Sequence, residues 1–527
     1  MYKLAAQLTC SLLLATMAMD IHAQQPENPA IGKGICTLTH CDSYQTGALP
    51  VRGPSAKSHV LRPEEIDLLW EAPVSAGAFD RKYPDGSTAY WVIKVDRIEK
   101  LALKDNTLTV LQELRLPMDK YWYYGREEMQ RFVAEMDNHA ITSPEYRKLA
   151  AFWKGYEREG IRAFYGLLSR DGTLYAGMKD RIVAFGDQDP KDPASPIVRK
   201  GEFVFDPAQM NKAMPVPVPI IIGFNALYDG HLAVVSMDGT LVVISPDFKH
   251  AEYHRLGDET IWNSLSIDEK GGIYFATSKK LYKRVWKDGR ISDRAEDGAW
   301  TEPYDVGAMD AALRGARGTG STPALMGNPK DRDRFVIITD AANINNAVLF
   351  WRDEIPADWK GLPGLSRRIA GKLPVDFDEP RRNESYSESA AAVLGYGAVF
   401  ADGRPKTGEA ITFDVMLRLT DPAVTPTGLQ KFHWDTRKRQ FVKDWVRHDA
   451  AMSGATPVIS ARTKRCTLAP WSRATGLGPC STGLPARPAP STTWGRASGT
   501  TPTTSCSSCC PMAIRSTRAS VAGCICG

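Results

Sequence analysis

The chain has 527 residues, 43% of them hydrophobic, with 66 Lys and Arg against 61 Asp and Glu for a formal net charge of +5. That basicity lies at the C-terminus, where residues 462–527 carry eight basic side chains and no acidic one. The remainder holds 58 basic residues (66 less those eight) against 61 acidic, so the basicity is no argument for nucleic acid or an anionic membrane, and no nucleic-acid partner is expected.

Residues 1–23 read as a signal peptide: Lys3 gives a short positive region, 4–18 are mostly apolar, and Ala23 suits the cleavage site. The apolar run is too short to span a bilayer, and no later segment reaches spanning length. A periplasmic or secreted protein with no membrane span is the expectation. The segment 24–87 reads as an N-terminal extension. It holds Cys36 and Cys41, the only cysteines outside the signal and the C-terminal tail. In an oxidising compartment they close a small disulfide loop; otherwise they stay two free thiols.

From residue 88 short apolar runs follow one another, separated by turn residues. Residues 89–95 and 108–114 look like the first strands. A helical insertion at 127–158 interrupts them. Ser143-Pro144-Glu145 is a capping start, and Leu149, Phe152, Trp153 and Tyr156 recur at helical spacing. The insertion reads as an amphipathic helix packed on the domain, with a lid over a channel mouth as the functional alternative. Then comes Phe164 to Gly177, two apolar strands flanking Asp171-Gly172, a strong hairpin signal. The pattern recurs around Asp229-Gly230 and around Asp268 and Gly271-Gly272, each time with a third apolar strand behind it. Looser copies start at Ser321, Glu388 and Thr456. The spacing and the three or four strands per unit predict an all-β fold, a seven- or eight-bladed β-propeller over 88–461 with a small helical insertion.

Residues 462–527 break the pattern. They hold seven of the ten cysteines and no Tyr or Phe. Apolar periodicity is missing. This is the signature of an out-of-frame translation of a GC-rich gene, or of a disordered basic tail. If the tail is the true product, the ring lacks its last partner strands and has an open, aggregation-prone edge.

In such a ring the innermost strands start at one mouth of the channel, and the loops joining second and third strands open on the same face. Strand starts then contribute Tyr165, Asn225, Asn263, Ser321, Thr322, Glu388 and Thr456; the loops contribute Asp238, Lys279, Asp340, Asn343 and Asn345. Asp340 to Asn346 is the densest polar group, and its carboxylate and amide oxygens suit a hard cation such as Ca²⁺. Turn formation by the same side chains bonding their own backbone is the plainer reading. On the functional reading Glu388 and Asp340 are catalytic candidates. Asn225, Asn263, Lys279 and Thr322 are cofactor-binding candidates, and Asp340, Asn343 and Glu388 the metal set. A C-x-x-C-H haem site, a G-x-S-x-G elbow, a P-loop and a G-x-G-x-x-G turn are absent from the sequence, so no haem is expected.

Across 161–460 the chain resembles the quinoprotein-dehydrogenase-like propellers, on Asn263-Ser264-Leu265-Ser266-Ile267-Asp268, Gly271-Gly272-Ile273-Tyr274 and the stretch from Asp340 to Trp351. The resemblance implies Ca²⁺ held by Glu, Asn and Asp, with Glu388, Asn225, Asn263 and Asp340 as counterparts by chemistry alone. It also implies a vicinal disulfide beside pyrroloquinoline quinone. The sole vicinal pair, Cys509-Cys510, lies in the tail, which argues against the quinone. The expected function is an exported propeller enzyme acting on a small organic substrate at the channel mouth, as a metal- or quinone-dependent oxidoreductase or a metal-assisted hydrolase or lactonase. A non-enzymatic envelope scaffold with a protein partner is the competing expectation.

Overall fold

The computed structural model describes residues between 25 and 485, except 54–58, 61–73, 105–106, 119, 121–122, 140–142, 160–164, 179, 214–219, 308–316, 388, 409–423, 452–455, 468–478 and 481–483. The fold is a β-propeller. Six of its sheets follow one another in chain order, and within each the first four strands pair antiparallel with their sequence neighbours. The first sheet holds Val74–Lys82, Thr88–Lys94, Arg97–Lys104 and Thr107–Arg115. The second holds Gly166–Leu168, Leu174–Met178, Arg181–Asp187 and Ile197–Val204. The third is Ile221–Ala226, Leu232–Ser236, Thr240–Ile244 and Ala251–Arg255. The fourth is Ser266–Ile267, Gly272–Ala276, Lys280–Lys287 and Arg290–Ser292, with Trp300–Pro303 also paired to its third strand. Ala324–Met326, Phe335–Thr339, Asn346–Trp351 and Ile369–Pro374 make the fifth. Ala392–Leu394, Gly397–Ala401, Thr427–Asp435 and Gln440–Ala451 make the sixth.

Local chemistry explains each unit. Val, Ile, Leu and aromatic residues fill the inner strands, and Asp-Gly or Gly-Gly closes the first hairpin of the first four sheets. Gly271 has φ 80°, and a Cβ there would meet the Trp286 carbonyl oxygen at 2.6 Å, so the turn accepts only glycine without distortion. In the third sheet the three inner strands are buried at every position, while Ala251–Arg255 is buried at none. Neighbouring sheets cover both faces of the inner strands, so these read as continuous apolar runs rather than as alternations.

The seventh sheet is built differently. Val458–Ser460 pairs with Arg465–Thr467, which pairs in turn with Leu484–Pro485, and the N-terminal strand Ala48–Leu49 lies parallel to Val458–Ser460. Its strands are only two or three residues long. They include the first residues of the compositionally odd tail; 468–478, 481–483 and 486–527 lie outside the described residues.

Two helices fill the insertion, α1 (Arg126–Asp137) and α2 (Pro144–Glu159). Ser143 Oγ accepts from the Tyr146 amide at 3.1 Å and caps α2. Phe132 and Phe152 pack the two helices together with ring centroids 5.5 Å apart.

The N-terminal extension lies at the centre of the ring. Backbone carbonyls of residues 36–47 accept from the inner strands of six sheets. The donors are Phe79 (to Cys36), Leu168 (to Thr37), Ile267 (to Ser43), Leu325 (to Tyr44), Val393 (to Thr46) and Ile459 (to Gly47), all at 2.7–2.9 Å. The third sheet reaches Ser43 O through the Asn225 side chain at 3.0 Å, and a separate two-stranded sheet pairs His59–Val60 with Pro479–Cys480. Twelve residues reach at most about 40 Å, so the inner strands must converge around this segment. Cys36 and Cys41 form a disulfide within it.

Candidate active site at the channel mouth

The strand-start residues join sheets to one another. Asn225 Nδ2 donates to Ser43 O and, at 3.2 Å, to Leu265 O in the fourth sheet. Asn263 Nδ2 donates to Ala276 O at 3.2 Å and to Thr319 O, ahead of the fifth sheet, at 3.0 Å. Thr322 Oγ1 accepts from the Ser264 amide at 3.1 Å. All three side chains are buried. Asn263→Ala is therefore expected to destabilise the protein by about 1–3 kcal/mol, because two buried carbonyls lose their donor. Thermal melting measures it.

The Asp340 loop bonds itself. Asp340 Oδ1 accepts from the Asn346 amide at 2.7 Å, and Oδ2 accepts from Asn346 Nδ2 at 2.8 Å. The Lys372 ammonium lies 3.3 Å from Oδ2. Burial pushes the Asp340 carboxyl up, against these donors. Asn345 Nδ2 donates to the Asp340 carbonyl at 2.8 Å, and Asn343 is exposed. Lys279 is paired with Asp258 at the surface. Glu388 lies outside the described residues. An ammonium and an amide already fill the Asp340 carboxylate, so Asp340 and Asn343 do not fit a Ca²⁺ ion. Among the described residues no group of three or more His, Cys, Asp or Glu is placed to hold a metal.

The opposite end of the sheets carries the hairpins between first and second strands and the links between third and fourth. Here a cluster gathers that the strand-start reasoning missed. Tyr44, from the central segment, donates its hydroxyl to Glu269 Oε2 at 2.6 Å. Arg352, at the end of the third strand of the fifth sheet, lies over the Tyr44 ring at 5.2 Å from its centroid. Tyr274 donates to Asp268 at 2.6 Å, and Lys283 lies 3.1 Å from Asp353. Burial opposes ionisation of Asp353, but Lys283, Arg352 and Arg334 together bring its pKa down to about 2. Tyr228 donates to the Pro26 carbonyl at 3.0 Å. Burial raises the Tyr228 phenol, and the charges of Glu269 and Asp42 raise it further.

Asp42 is half-buried as a residue, with its carboxyl enclosed by protein. Burial pushes its carboxyl up to about 6, opposed by donation from the Thr46 hydroxyl and amide. Nearby, burial lowers the His40 imidazole to about 4, so it is neutral at physiological pH. The cluster thus offers a carboxyl titrating close to neutrality, a second carboxyl braced by Tyr44 over a buried guanidinium, and a half-buried phenol. Such a set can give and take protons. Its sequence signal was slight: Asp42 and Tyr44 sit just past a cysteine, and Glu269 looks like an ordinary turn residue.

No family model matches the chain. A curated protein of Archaeoglobus fulgidus, described only as uncharacterized, is 30% identical over 455 residues, covering 84% of this chain and 77% of that one. Among solved structures, the WD40 repeats of RRP9 share 11% identity at TM-score 0.40 over 79% of this chain and 92% of theirs. A catalytically inactive virginiamycin B lyase from Staphylococcus aureus shares 10% at 0.35, over 73% and 87%. A 6-phosphogluconolactonase homologue of Bacteroides uniformis shares 13% at 0.35, over 76% and 88%.

Proposed function

This chain belongs to the family of that Archaeoglobus fulgidus protein, and on that premise we propose that it is an exported propeller enzyme performing acid–base chemistry on a small polar organic substrate at the mouth formed by Asp42, Tyr44, Tyr228 and Glu269. The observation that carries the reading is Asp42, a carboxyl that burial pushes up to about 6, two residues from the Tyr44 whose hydroxyl bonds a second carboxyl, Glu269. Asp42 donates a proton to the substrate, Glu269 accepts one, and Tyr228 orients the bound molecule. Tyr44 and Arg352 hold Glu269 in place. Proton transfer is the chemistry these side chains supply, which suits a hydrolase or lyase. Export fits the Cys36–Cys41 disulfide, which persists in an oxidising compartment such as the periplasm or outside the cell. Against the scaffold reading, Val204 and Val306 are the only large hydrophobics exposed among the described residues, too few for an apolar docking patch.

The test is an assay of the purified protein against lactones, glycosides and hydroxy acids between pH 4 and 9. One class is expected to turn over. An acid must be protonated to act, so the rate should fall about tenfold per pH unit above the Asp42 pKa of about 6. Glu269→Gln should lower the rate about 100-fold or more, and Asp42→Asn should abolish the upper pH limb. Turnover of nothing in the panel, or turnover indifferent to both substitutions, overturns the proposal.

A further inference from the structure

The central segment presents seven sheets with their hydrogen-bond acceptors, and one crosslink lies within it. Cys36 and Cys41 close a six-residue turn in which His40 and Cys41 adopt left-handed backbone with φ 57° and 74°. Non-glycine residues resist that conformation. The turn brings the His40 carbonyl to the Gly47 amide at 2.9 Å, so the chain doubles back and can serve the first and second sheets on one side and the sixth and seventh on the other. If this segment were displaced, the amides of Leu168, Ile267, Leu325, Val393 and Ile459 would lose these acceptors.

We propose that residues 28–49 are an oxidation-set clasp: the ring tightens around its centre only once Cys36 and Cys41 are joined. The two thiols lose two electrons and two protons. A disulfide-bearing thiol oxidoreductase accepts both, its own S–S bond breaking as the Cys36–Cys41 bond forms. The reduced chain then holds its sheets with a loose centre, which keeps a precursor open until it meets an oxidising compartment. This inference is independent of the catalytic reading.

Hydrogen exchange followed by mass spectrometry tests it on the full chain, comparing oxidised protein, protein refolded under reducing conditions, and Cys36→Ser/Cys41→Ser. The expected result is exchange about tenfold to a hundredfold faster in peptides carrying Leu168, Ile267, Leu325, Val393 and Ile459. The outer strand Ala251–Arg255 should be unchanged. Reductant should add nothing to the double variant, which excludes the tail cysteines as the cause. If that variant does not fold, the reduced wild type carries the comparison. Equal protection in all samples, a uniform rise across inner and outer strands, or a further effect of reductant on the double variant would each overturn the clasp.

Discussion

Lys100→Met should cost the protein about 3–5 kcal/mol, the usual penalty for breaking a buried ion pair from one side. Lys100 lies in the third strand of the first sheet and is fully buried. Its ammonium bonds Asp187 at the end of the third strand of the second sheet, donates to Ser195 O at 3.0 Å and sits 5.3 Å from the centre of the Trp91 ring. Removing the cation leaves Asp187 in the interior with the Tyr83 hydroxyl at 2.6 Å and the Arg81 guanidinium at 3.7 Å. Those partners are too few for a desolvated carboxylate. The size of the effect thus comes from the charge left behind more than from the bond lost. Lys100→Met combined with Asp187→Asn should recover more than half the loss, since asparagine still accepts from Tyr83 and carries no charge. Denaturant titration of the two single variants and the double completes the cycle. A double variant no more stable than the singles would show that the site matters for packing alone.

Trp434→Ala is expected to cost a similar 3–5 kcal/mol for different reasons. Trp434 belongs to the third strand of the sixth sheet, yet its Nε1 donates to Asp333 Oδ2 of the fifth at 2.9 Å. Its ring lies 4.8 Å from Phe335, 5.8 Å from Trp351 and 6.2 Å from Trp359. Truncation opens a cavity among rings of the neighbouring sheet and orphans a buried carboxylate at the same time. Trp434→Phe keeps most of the volume and loses only the bond, so it should cost about 1–3 kcal/mol. Thermal melts of the two variants separate cavity from hydrogen bond. Equal losses for alanine and phenylalanine would place the whole effect on Asp333.

Both ties run between adjacent sheets, and that is where reading the chain alone falls short. The hairpins were legible because their cause is local. Asp171-Gly172 and Asp229-Gly230 name their turns, and the flanking apolar runs became Gly166–Leu168 with Leu174–Met178 and Ile221–Ala226 with Leu232–Ser236. The helical insertion was legible too, from Ser143-Pro144 and the spacing of its aromatics, and it appears as α1 and α2. Polar strand starts were harder. Asn225, Asn263 and Thr322 have the chemistry of a binding site, and nothing in their spacing tells a ligand from a neighbouring backbone carbonyl. In the fold they meet carbonyls and an amide of the adjacent unit. The Asp340 turn is a middle case, since the same oxygens that suit a cation also suit the Asn346 amides six residues on.

By itself the amino-acid order determined the repeat, the strands and their turns, because each depends on residues a few positions apart: apolar runs that need covering on both faces, and glycines where φ is positive. Only the tertiary structure decided what lies at the centre. Residues 36–47 are recruited there through backbone carbonyls, and every residue type carries the same carbonyl, so no side-chain pattern announces it. The same long-range placement brought Asp42 and Tyr44 beside Tyr228, Glu269 and Arg352, residues about 180 to 310 positions away in the chain.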